Sequence, residues 1–381
     1  MKKIVFLTGT RADFGKLKSL IKITQSNQKY EVHVFVTGMH LDKKYGETVR
    51  EIEKSKIINI HKYNNCEGPQ KMDRTLASTI NGFSIFIANL KPDLIVVHGD
   101  RVEPLAGAIV GSLNNVLVAH VEGGEISGTI DELIRHAVSK LSHIHLVSNN
   151  EAKRRLVQMG ELDSSIFIIG SPDFDLMKSN NLPSLDKVKA YYNITFDKYA
   201  IVMYHPVTTE FEFASERAEI VAKTLLKSNK NYIVIFPNND LGCEEIFEAY
   251  EMLKNKENIK IFPSLRFEYF LRLLKESEFI LGNSSAGISE APYYNVPTIN
   301  IGSRQNNRAV HDTIINVNFD KSLILSAINS IECNDNNVNV FKDLVFGNSD
   351  NQFLNLISAD KFWRIDCQKQ FQDFTTTKRN S

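Results

Sequence analysis

The sequence predicts an α/β protein made of two doubly wound, Rossmann-like domains. Short apolar runs without polar alternation recur along the chain, as in strands that are buried on both faces of a parallel sheet. Segments with helical spacing lie between these runs, and this order indicates strand–helix–strand units. The order pauses in a polar stretch near residue 180 and resumes near residue 200. Because 381 residues exceed one ordinary core, we expect two domains.

In the first half, apolar runs end repeatedly in polar loops. The strands predicted here are 4–7, 32–37, 93–97, 116–121, 144–147 and 166–169. The helices predicted between them begin after Gly15 and continue at 42–56, 80–90, 102–113 and from residue 130 onward. A polar linker follows at 177–196, so we place the first domain at residues 1–175.

The same order continues in the second half. The strands predicted here are 199–204, 232–236, 259–262, 279–281 and 298–301, the last of which is expected to end the sheet, with a helix at 267–275. This domain is placed at residues 176–350. An Asn-rich stretch precedes a final amphipathic segment, 353–374, which contains Trp363. We interpret residues 351–381 as a C-terminal helix that packs back on one of the two halves. We expect this half to be the N-terminal domain.

The composition disfavours several classes of partner. Lys plus Arg and Asp plus Glu are 45 each, so no overall field attracts nucleic acid or an anionic membrane. The apolar run near the N-terminus is too short for a signal peptide, and no run approaches the roughly 18 residues of a membrane span. The four cysteines, Cys66, Cys243, Cys333 and Cys367, lack the paired spacing of a disulfide framework or a zinc site. We therefore expect a cytoplasmic protein with ordinary thiols.

Three carboxylates follow predicted strands in the first half. Glu122 lies on the loop after strand 116–121, and Asp131 lies near the next helix start, where the helix dipole stabilises a carboxylate. Asp100 takes the corresponding position after strand 93–97. Ligands of open parallel sheets bind in the crevice outside these strand ends, so we expect the three carboxylates at one crevice. The alternative is that Asp131 caps a helix and Glu122 is a solvated loop charge.

The neighbours of Asp100 have simpler explanations as well. Arg101 can form an ion pair with Asp100, and His98 is interpreted as a satisfied histidine beneath the loop. Arg304 follows the last predicted strand, and its spacing does not decide between a cleft residue and a surface cation.

Two loops have the composition of anion sites. The loop at 8–15 leads into a helix, whose free backbone N–H groups and Arg11 can bind an anion, although its glycine spacing does not match a dinucleotide fingerprint. In the second half, Ser284 and Ser285 are expected at a helix start, with Glu290 placed to accept two ribose hydroxyl groups. A serine N-cap with a solvated glutamate explains the second loop equally well.

Five motifs together resemble those of the UDP-N-acetylglucosamine 2-epimerase family. They are HGDR at 98–101, EGGEISGTIDELIRH at 122–136, HPVTTE at 205–210, FPNND at 236–240 and GNSSAGISEAP at 282–292. The resemblance is strongest for the hydrolysing branch, whose members release N-acetylmannosamine and UDP for sialic acid synthesis. It implies a GT-B-type fold, in which two Rossmann-like domains face a cleft.

The resemblance also implies a reaction in two stages. UDP leaves C1 of UDP-N-acetylglucosamine by anti elimination, which gives 2-acetamidoglucal, and water then adds with protonation at C2 from the opposite face. Such a route needs proton-transfer groups on two faces of the sugar ring. Asp100, Glu122 and Asp131 match the catalytic carboxylates of the family. Which of them abstracts the proton and which returns one stays open.

The resemblance further implies a set of residues that bind the UDP-sugar, to which we add Arg304. The set is Arg11, Arg101, Arg135, His205, Asn238, Ser284, Ser285, Glu290 and Arg304. The expected contacts run from the carboxylates (Arg101, Arg135) through the diphosphate (Arg11, His205, Ser284, Ser285) to the uridine (Asn238) and its ribose (Glu290).

Other functions stay open at this point. The same chemistry can act on UDP-2,4-diacetamido-2,4,6-trideoxyglucose, on the route to legionaminic acid, or the chain can belong to the non-hydrolysing branch. A glycosyltransferase of the same fold and a non-catalytic UDP-sugar-binding protein are the alternatives from other classes. We expect no cofactor and no metal, because the product keeps its redox state and no cluster has ligand spacing. The expected partner is the UDP-sugar alone, with neither nucleic acid nor membrane, and the resemblance implies a homodimer or homotetramer.

Overall fold

The computed structural model of the protein describes residues 1–65, 71–178, 182–306, 311–331 and 348–373. Within these ranges the strands form two separate sheets, both entirely parallel. The predicted α/β class with two doubly wound domains is therefore confirmed.

The first sheet has the strand order β3-β2-β1-β4-β5-β6-β7. Its strands are β1 (Lys2–Thr8), β2 (Tyr30–Val36), β3 (Asn59–Lys62), β4 (Leu94–His98), β5 (Leu117–Val121), β6 (Ile144–Val147) and β7 (Ile166–Ile168). The chain starts at the centre, proceeds to one edge and then returns to build the other side. The strand order reverses between β1 and β4, and a crevice opens at such a switch point.

The second sheet repeats this plan with the order β10-β9-β8-β11-β12-β13. Its strands are β8 (Ala200–Met203), β9 (Tyr232–Ile235), β10 (Ile259–Phe262), β11 (Ile280–Gly282), β12 (Thr298–Ile301) and β13 (Ile314–Val317). Here the order reverses between β8 and β11, so the second domain has its own crevice at the carboxyl ends of these strands.

Helices cover both faces of each sheet. They are α1 (Arg11–Gln25), α2 (Val49–Lys54), α3 (Met72–Leu90), α4 (Val102–Leu113), α5 (Ile130–Leu141), α6 (Asn150–Gln158), α7 (Pro172–Lys178), α8 (Leu185–Tyr192), α9 (Ala214–Ser228), α10 (Cys243–Tyr250), α11 (Phe267–Lys275), α12 (Glu290–Tyr293), α13 (Lys321–Ile331) and α14 (Ser349–Ser358). None of these helices is both long and apolar enough to cross a bilayer.

Each sheet separates two apolar clusters, because successive side chains of a strand point to opposite faces. In β1, Ile4 and Phe6 belong to the cluster on one face, whereas Val5 and Leu7 belong to the cluster on the other. Strands buried on both faces have no polar side, which explains why their sequences read as continuous apolar runs.

The C-terminal helix α14 packs against the core of the first sheet. Phe353 is fully buried, and its ring lies edge-on to Phe6 with 6.1 Å between the ring centroids. The hydroxyl group of Tyr30 donates to the carbonyl oxygen of Ile357 at 2.8 Å, and the indole N–H of Trp363 donates to the same oxygen at 2.7 Å. The chain thus crosses from the second sheet to the first, while the domain limits at residues 175 and 350 stay predictions.

Several predicted elements differ from the structure, and the helix predicted at 80–90 begins already at Met72. The helix expected at 42–56 is reduced to Val49–Lys54, because Gly46 adopts a left-handed conformation (φ 88°) that ends a preceding 3₁₀ turn. Strand 298–301 is not the last one, since β13 follows at the sheet edge. The predicted linker 177–196 contains helix α8, whose Val188 is fully buried in the second domain.

The C-terminal helix is also shorter than predicted. It ends at Ser358, and a 3₁₀ turn at Phe362–Arg364 follows it. Of the predicted ordinary thiols, Cys243 and Cys367 are free, whereas Cys66 and Cys333 lie outside the described residues, as do most of the Asn-rich stretch and residue 374.

Candidate active site

A cleft of about 1300 Å³ lies between the two domains, at the carboxyl ends of the central strands of both sheets. All twelve residues predicted for the site line this cleft. They are Arg11, Asp100, Arg101, Glu122, Asp131, Arg135, His205, Asn238, Ser284, Ser285, Glu290 and Arg304. The fold thus brings together residues that are spread over almost 300 positions of the sequence, while their individual roles stay predictions.

Asp100 and Glu122 follow two neighbouring strands, and one arginine connects them. The register of β4 and β5 pairs His98 with Val121, so the two following loops leave the sheet side by side. The Arg135 guanidinium donates to the Asp100 carboxylate through Nη2 and to the backbone carbonyl oxygen of Glu122 through Nη1, the latter at 2.7 Å. Because Arg135 is buried on α5, it holds both loops in a constant relation.

Glu122 is surrounded by polar groups from several elements. Its carboxylate accepts hydrogen bonds from the Lys16 ammonium (3.1 Å) and the Ser171 hydroxyl group (2.9 Å), and it lies 3.1 Å from His98 Nε2. The residue itself has a left-handed backbone conformation (φ 61°), which is uncommon for a residue with a side chain. Burial alone raises a carboxyl pKa, but Lys16 and His98 lower the pKa of Glu122 well below its ordinary value.

Asp131 has the opposite electrostatic environment. It lies in the first turn of α5, which is capped by the side chain of Thr129. Burial and the nearby Asp100 carboxylate raise the pKa of Asp131, although Arg304 opposes this shift from 3.1 Å away. Two carboxyl groups of one cleft are therefore biased toward different protonation states, Glu122 toward the ionised form and Asp131 toward the protonated form.

His205, at the end of β8, presents a neutral imidazole ring to the cleft. Burial and the cations Arg304 and Arg101 lower the pKa of His205 well below its ordinary value. The backbone N–H group of Asn238 donates to Nδ1 of His205 at 3.1 Å. Because Nδ1 accepts this bond, the single ring proton resides on Nε2 and can be donated to an anionic ligand.

Asn283 is a residue of this site that the sequence did not reveal. Its side-chain oxygen accepts from the His205 backbone N–H at 2.7 Å, and its side-chain nitrogen donates to the His205 carbonyl oxygen at 2.8 Å. Its own carbonyl oxygen accepts from Arg304 Nη1 at 3.1 Å. The ends of β8, β11 and β12 are thereby held together, and these ends carry the candidate anion-binding groups.

The expected helix after the serine pair is wrong in its extent. Ser284 is the N-cap of a 3₁₀ turn at Ser285–Gly287, and a separate four-residue helix, α12, begins at Glu290. A helix dipole of the predicted size is absent from this part of the structure, because few peptide groups are aligned. The hydroxyl and N–H groups of the serine pair still line the cleft, and so does the buried Glu290.

The loop that leads into α1 uses two of its backbone N–H groups within the chain, and the anion site expected at this helix start stays a prediction. The backbone N–H groups of Gly9 and Thr10 both donate to the Asp13 carboxylate at 2.9 Å, in a capping box with Thr10. These N–H groups are therefore occupied within the chain. Arg11 lines the cleft as predicted, while its Nη2 is bound to Glu51 at 2.6 Å.

Arg101 does not pair with Asp100. Instead it extends across the cleft, where its Nη2 donates to the Asn239 side-chain oxygen and lies 3.5 Å from Asp240 Oδ1. The two domains are thus in contact through Arg101 as well as through the Arg304 and Asp131 pair.

Three further cleft residues were missed or underrated by sequence reasoning. Lys16 and Asp173 were missed, and His98 was expected only as a satisfied residue beneath the loop, whereas it contacts Glu122. For Asp173 a signal exists, because the polar sequence GSPD follows directly after the predicted strand 166–169, as Asp100 follows the predicted strand 93–97. Lys16 has no such signal, since it lies in the second turn of an ordinary amphipathic helix.

Two doubly wound domains with a charged cleft between their strand ends define the GT-B class of folds. A family model described as UDP-N-acetylglucosamine 2-epimerase matches residues 22–358. The chain therefore belongs to the UDP-N-acetylglucosamine 2-epimerase family and is an enzyme of that family.

Individual relatives agree with this assignment. The chain is 45% identical over 380 residues to the UDP-N-acetylglucosamine 2-epimerase of Neisseria meningitidis serogroup B, covering 98% of this chain and 99% of the relative. It is 35% identical over 334 residues to the UDP-N,N'-diacetylbacillosamine 2-epimerase (hydrolyzing) of Legionella pneumophila, covering 86% and 88%.

Solved structures agree in fold. The UDP-GlcNAc 2-epimerase of Methanocaldococcus jannaschii, in complex with UDP-GlcNAc and UDP, superposes with a TM-score of 0.79 at 23% identity, covering 94% of this chain and 99% of that one. At this identity the likeness supports the two-domain architecture alone.

Proposed function

We propose that this enzyme is a hydrolysing UDP-N-acetylglucosamine 2-epimerase, which converts UDP-N-acetylglucosamine and water into N-acetylmannosamine and UDP. In the first stage a base removes the C2 proton, the C1–C2 double bond forms, and the C1–oxygen bond breaks with its electron pair going to the diphosphate. In the second stage water adds its oxygen to C1 of the bound 2-acetamidoglucal, and a proton adds to C2 from the opposite face.

The observation that carries this proposal is the contrast between Glu122 and Asp131. An elimination needs a group that accepts a proton, and a hydration with inversion needs a second group that delivers one. Glu122 is held ionised by Lys16 and His98, whereas burial and Asp100 favour a proton on Asp131. Paired titratable groups with environments that push their pKa values apart are typical of acid–base sites. We therefore assign the proton acceptor to Glu122 and the proton donor to Asp131.

The second domain supplies groups suited to the leaving diphosphate. Negative charge accumulates on the diphosphate oxygen as the bond to C1 breaks, so donors fixed at that position lower the barrier. The neutral His205 offers Nε2–H, and Arg304 offers a guanidinium that Asn283 holds in place. Ser284 and Ser285 add hydroxyl and backbone N–H groups at the same end of the cleft.

The identity of the sugar is the finer part of the proposal. The relative at 45% identity is named for UDP-N-acetylglucosamine, which supports that substrate. The relative from Legionella pneumophila is named for a diacetylated sugar and as hydrolyzing, which supports the hydrolysing route and makes a UDP-diacetamido sugar the second candidate substrate. The same acid–base groups serve both sugars, because C1 and C2 are alike in the two.

An NMR time course in deuterated water tests the reaction. Purified protein is incubated with UDP-N-acetylglucosamine, and we expect N-acetylmannosamine with deuterium at C2 and an equal amount of UDP. UDP-N-acetylmannosamine as the stable product would instead assign the non-hydrolysing reaction. Turnover of a UDP-diacetamido sugar without turnover of UDP-N-acetylglucosamine would establish the second candidate, and transfer of the sugar to an acceptor would indicate a glycosyltransferase.

Further parts of the proposal concern setting and assembly. N-acetylmannosamine made here is proposed to enter sialic acid synthesis, and the enzyme is proposed to act in the cytoplasm as a homodimer or homotetramer. Fractionation of cells tests the proposed cytoplasmic location, and light scattering of the purified protein tests the proposed oligomeric state.

A further inference from the structure

The Lys16 ammonium lies between two carboxylates of the cleft. Its Nζ is 3.1 Å from Glu122 Oε2 and 2.6 Å from Asp173 Oδ2. The three residues come from different elements, since Lys16 belongs to α1, Glu122 follows β5, and Asp173 belongs to α7. The proposed reaction uses Glu122 and assigns no part to Asp173.

Asp173 is not a solvated surface charge. It is 5% exposed, and its Oδ1 has no hydrogen-bond partner among the residues that the structure describes. Burying a carboxylate without a full set of partners is unfavourable. An acid in the first turn of a helix is stabilised by the helix dipole alone, so that role does not require a buried lysine beside it.

The charges around Glu122 explain what Asp173 contributes. Glu122 is faced by groups from several elements. They are Lys16 from α1, His98 from β4, Arg135 from α5, and Ser171 and Asp173 from the loop and helix after β7. Glu290 of the second domain adds a negative charge near Lys16. Lys16, His98 and Arg135 favour the ionised Glu122, and Asp173 is the nearby first-domain carboxylate that shares the lysine.

We propose that Asp173 is a positioning residue for this reaction, which draws the Lys16 ammonium away from Glu122 and so keeps Glu122 able to bind the proton that it must accept. The inference rests on the proposed function, because it concerns the strength of the base in that reaction. Burial raises the pKa of Asp173, and the Lys16 ammonium 2.6 Å away opposes this shift by favouring the ionised carboxylate. When Asp173 is ionised, the lysine divides its charge between two carboxylates. Without this second carboxylate, the full ammonium charge stabilises the ionised Glu122 and weakens it as a base.

The first test is Asp173→Asn, which removes the charge and keeps the shape. One limb of the pH–rate profile, acidic or basic, reports the titration of Glu122. This limb is expected to move to lower pH by about one unit. A weaker base lowers kcat, which we expect to fall about tenfold while KM changes less than about threefold. Asp173→Glu restores the charge and is expected to restore the position of the limb, and Asp173→Ser serves as a second neutral variant if the amide prevents folding.

Asp175→Asn is the matched control. Asp175 lies on the same helix, but its carboxylate accepts from the backbone N–H of Ser349 at 2.6 Å and so fastens α14. Its loss is expected to lower the melting temperature without moving the pH profile. A purely structural role of Asp173 would give the same result as this control, and an unchanged pH profile in Asp173→Asn would overturn the proposal.

A measurement without substrate separates this inference from the proposed function. Carbon-13 NMR of side-chain carboxyl groups in glutamate-labelled protein reports the titration of Glu122, with Glu122→Gln identifying its signal. The Glu122 titration is expected at lower pH in Asp173→Asn than in the unsubstituted protein, and superimposable titrations would overturn the inference. Absence of turnover with UDP-N-acetylglucosamine would instead count against the proposed substrate and leave this titration valid.

Discussion

Arg304 Nη2 lies 3.1 Å from Asp131 Oδ2, and the two residues belong to different domains. The same guanidinium donates through Nη1 to the carbonyl oxygen of Asn283, so its position is set by the second domain. The electrostatic environment of Asp131 therefore depends on how the two domains meet. Closure of a cleft around substrate is a common way to complete a catalytic site and to exclude water.

Replacing Arg304 with glutamine is expected to reduce kcat/KM about tenfold to hundredfold, which corresponds to one lost charge-assisted hydrogen bond. Arg304 lowers the pKa of Asp131, whereas burial and Asp100 raise it. Without the arginine the pKa of Asp131 rises further, so the limb of the pH–rate profile that reports Asp131 moves to higher pH. Steady-state kinetics across pH measure both effects. The control is Arg272→Gln on α11, because Arg272 pairs with Glu276 four positions further along the chain and not with the other domain. An Arg304 variant with the kinetics of this control would contradict the pairing.

Replacing Asp100 with asparagine is expected to reduce kcat about 100-fold or more, because its carboxylate raises the pKa of the proposed proton donor Asp131 and accepts from Arg135. Binding of UDP, measured by calorimetry, should change only a few-fold, because Asp100 lies in the first domain and the groups proposed to bind the diphosphate lie in the second. Asp93→Asn is a matched control at the opposite end of β4, where the carboxylate pairs with Lys2 at 2.7 Å. Full turnover by the Asp100 variant would contradict its role as a catalytic carboxylate.

Replacing Gly128 with alanine is expected to hinder the approach of the domains. A methyl group at this position stands 2.8 Å from the carbonyl oxygen of Arg304 and 3.1 Å from that of Ser303, both in the second domain. Backbone atoms cannot yield as a flexible side chain does, so the loops must separate. We expect kcat to fall about tenfold with an unchanged melting temperature, because a misplaced catalytic group is costly. Small-angle scattering with UDP should show a larger radius of gyration, and an equally compact complex would contradict the prediction.

Replacing Glu161 with glutamine is expected to lower the free energy of unfolding by about 3 kcal/mol at pH 7, the cost of breaking a buried ion pair. The Glu161 carboxylate is buried. Its oxygens lie 2.9 Å from Lys140 Nζ, 2.5 Å from Lys369 Nζ and 2.9 Å from His145 Nε2. Urea unfolding measures the change. The control is Glu151→Gln, because the Glu151 carboxylate is exposed and loss of its ion pair with Arg155 should change stability by less than about 0.5 kcal/mol.

The same carboxylate makes stability depend on pH. Burial opposes ionisation, but the bonds from His145, Lys140 and Lys369 lower the pKa of Glu161 from its usual 4.5 to about 2. A lowered pKa in the folded state means that the unfolded chain takes up the proton first as pH falls. The contribution of Glu161 is therefore complete above about pH 4.5 and disappears as pH falls toward 2. The difference between the protein and Glu161→Gln should shrink across this window, and a constant difference would contradict the assigned cause.

Much of the fold could be predicted from the sequence because its strands are buried on both faces. β6, β10 and β12 have the predicted limits, since their apolar runs end sharply in polar loops. β13 was missed because it is an edge strand whose residues are half-buried or exposed, so its sequence lacks a continuous apolar run. Helix α8 was missed because its polar surface dominates its composition, although Val188 anchors it.

The sequence by itself determined that Asp100 and Glu122 are neighbours, because both follow buried strands and the carboxyl ends of adjacent parallel strands meet at one edge of a sheet. Only the tertiary structure decided what surrounds them. Arg304 and Asp131 are 173 positions apart, and Lys16 and Glu122 are 106 apart. The spacing of apolar residues along the sequence does not predict such contacts, because they depend on how one domain meets the other and on which turn of a helix faces the cleft. The directions in which the pKa values of Glu122 and Asp131 are shifted follow from those contacts, so only the folded chain decides them.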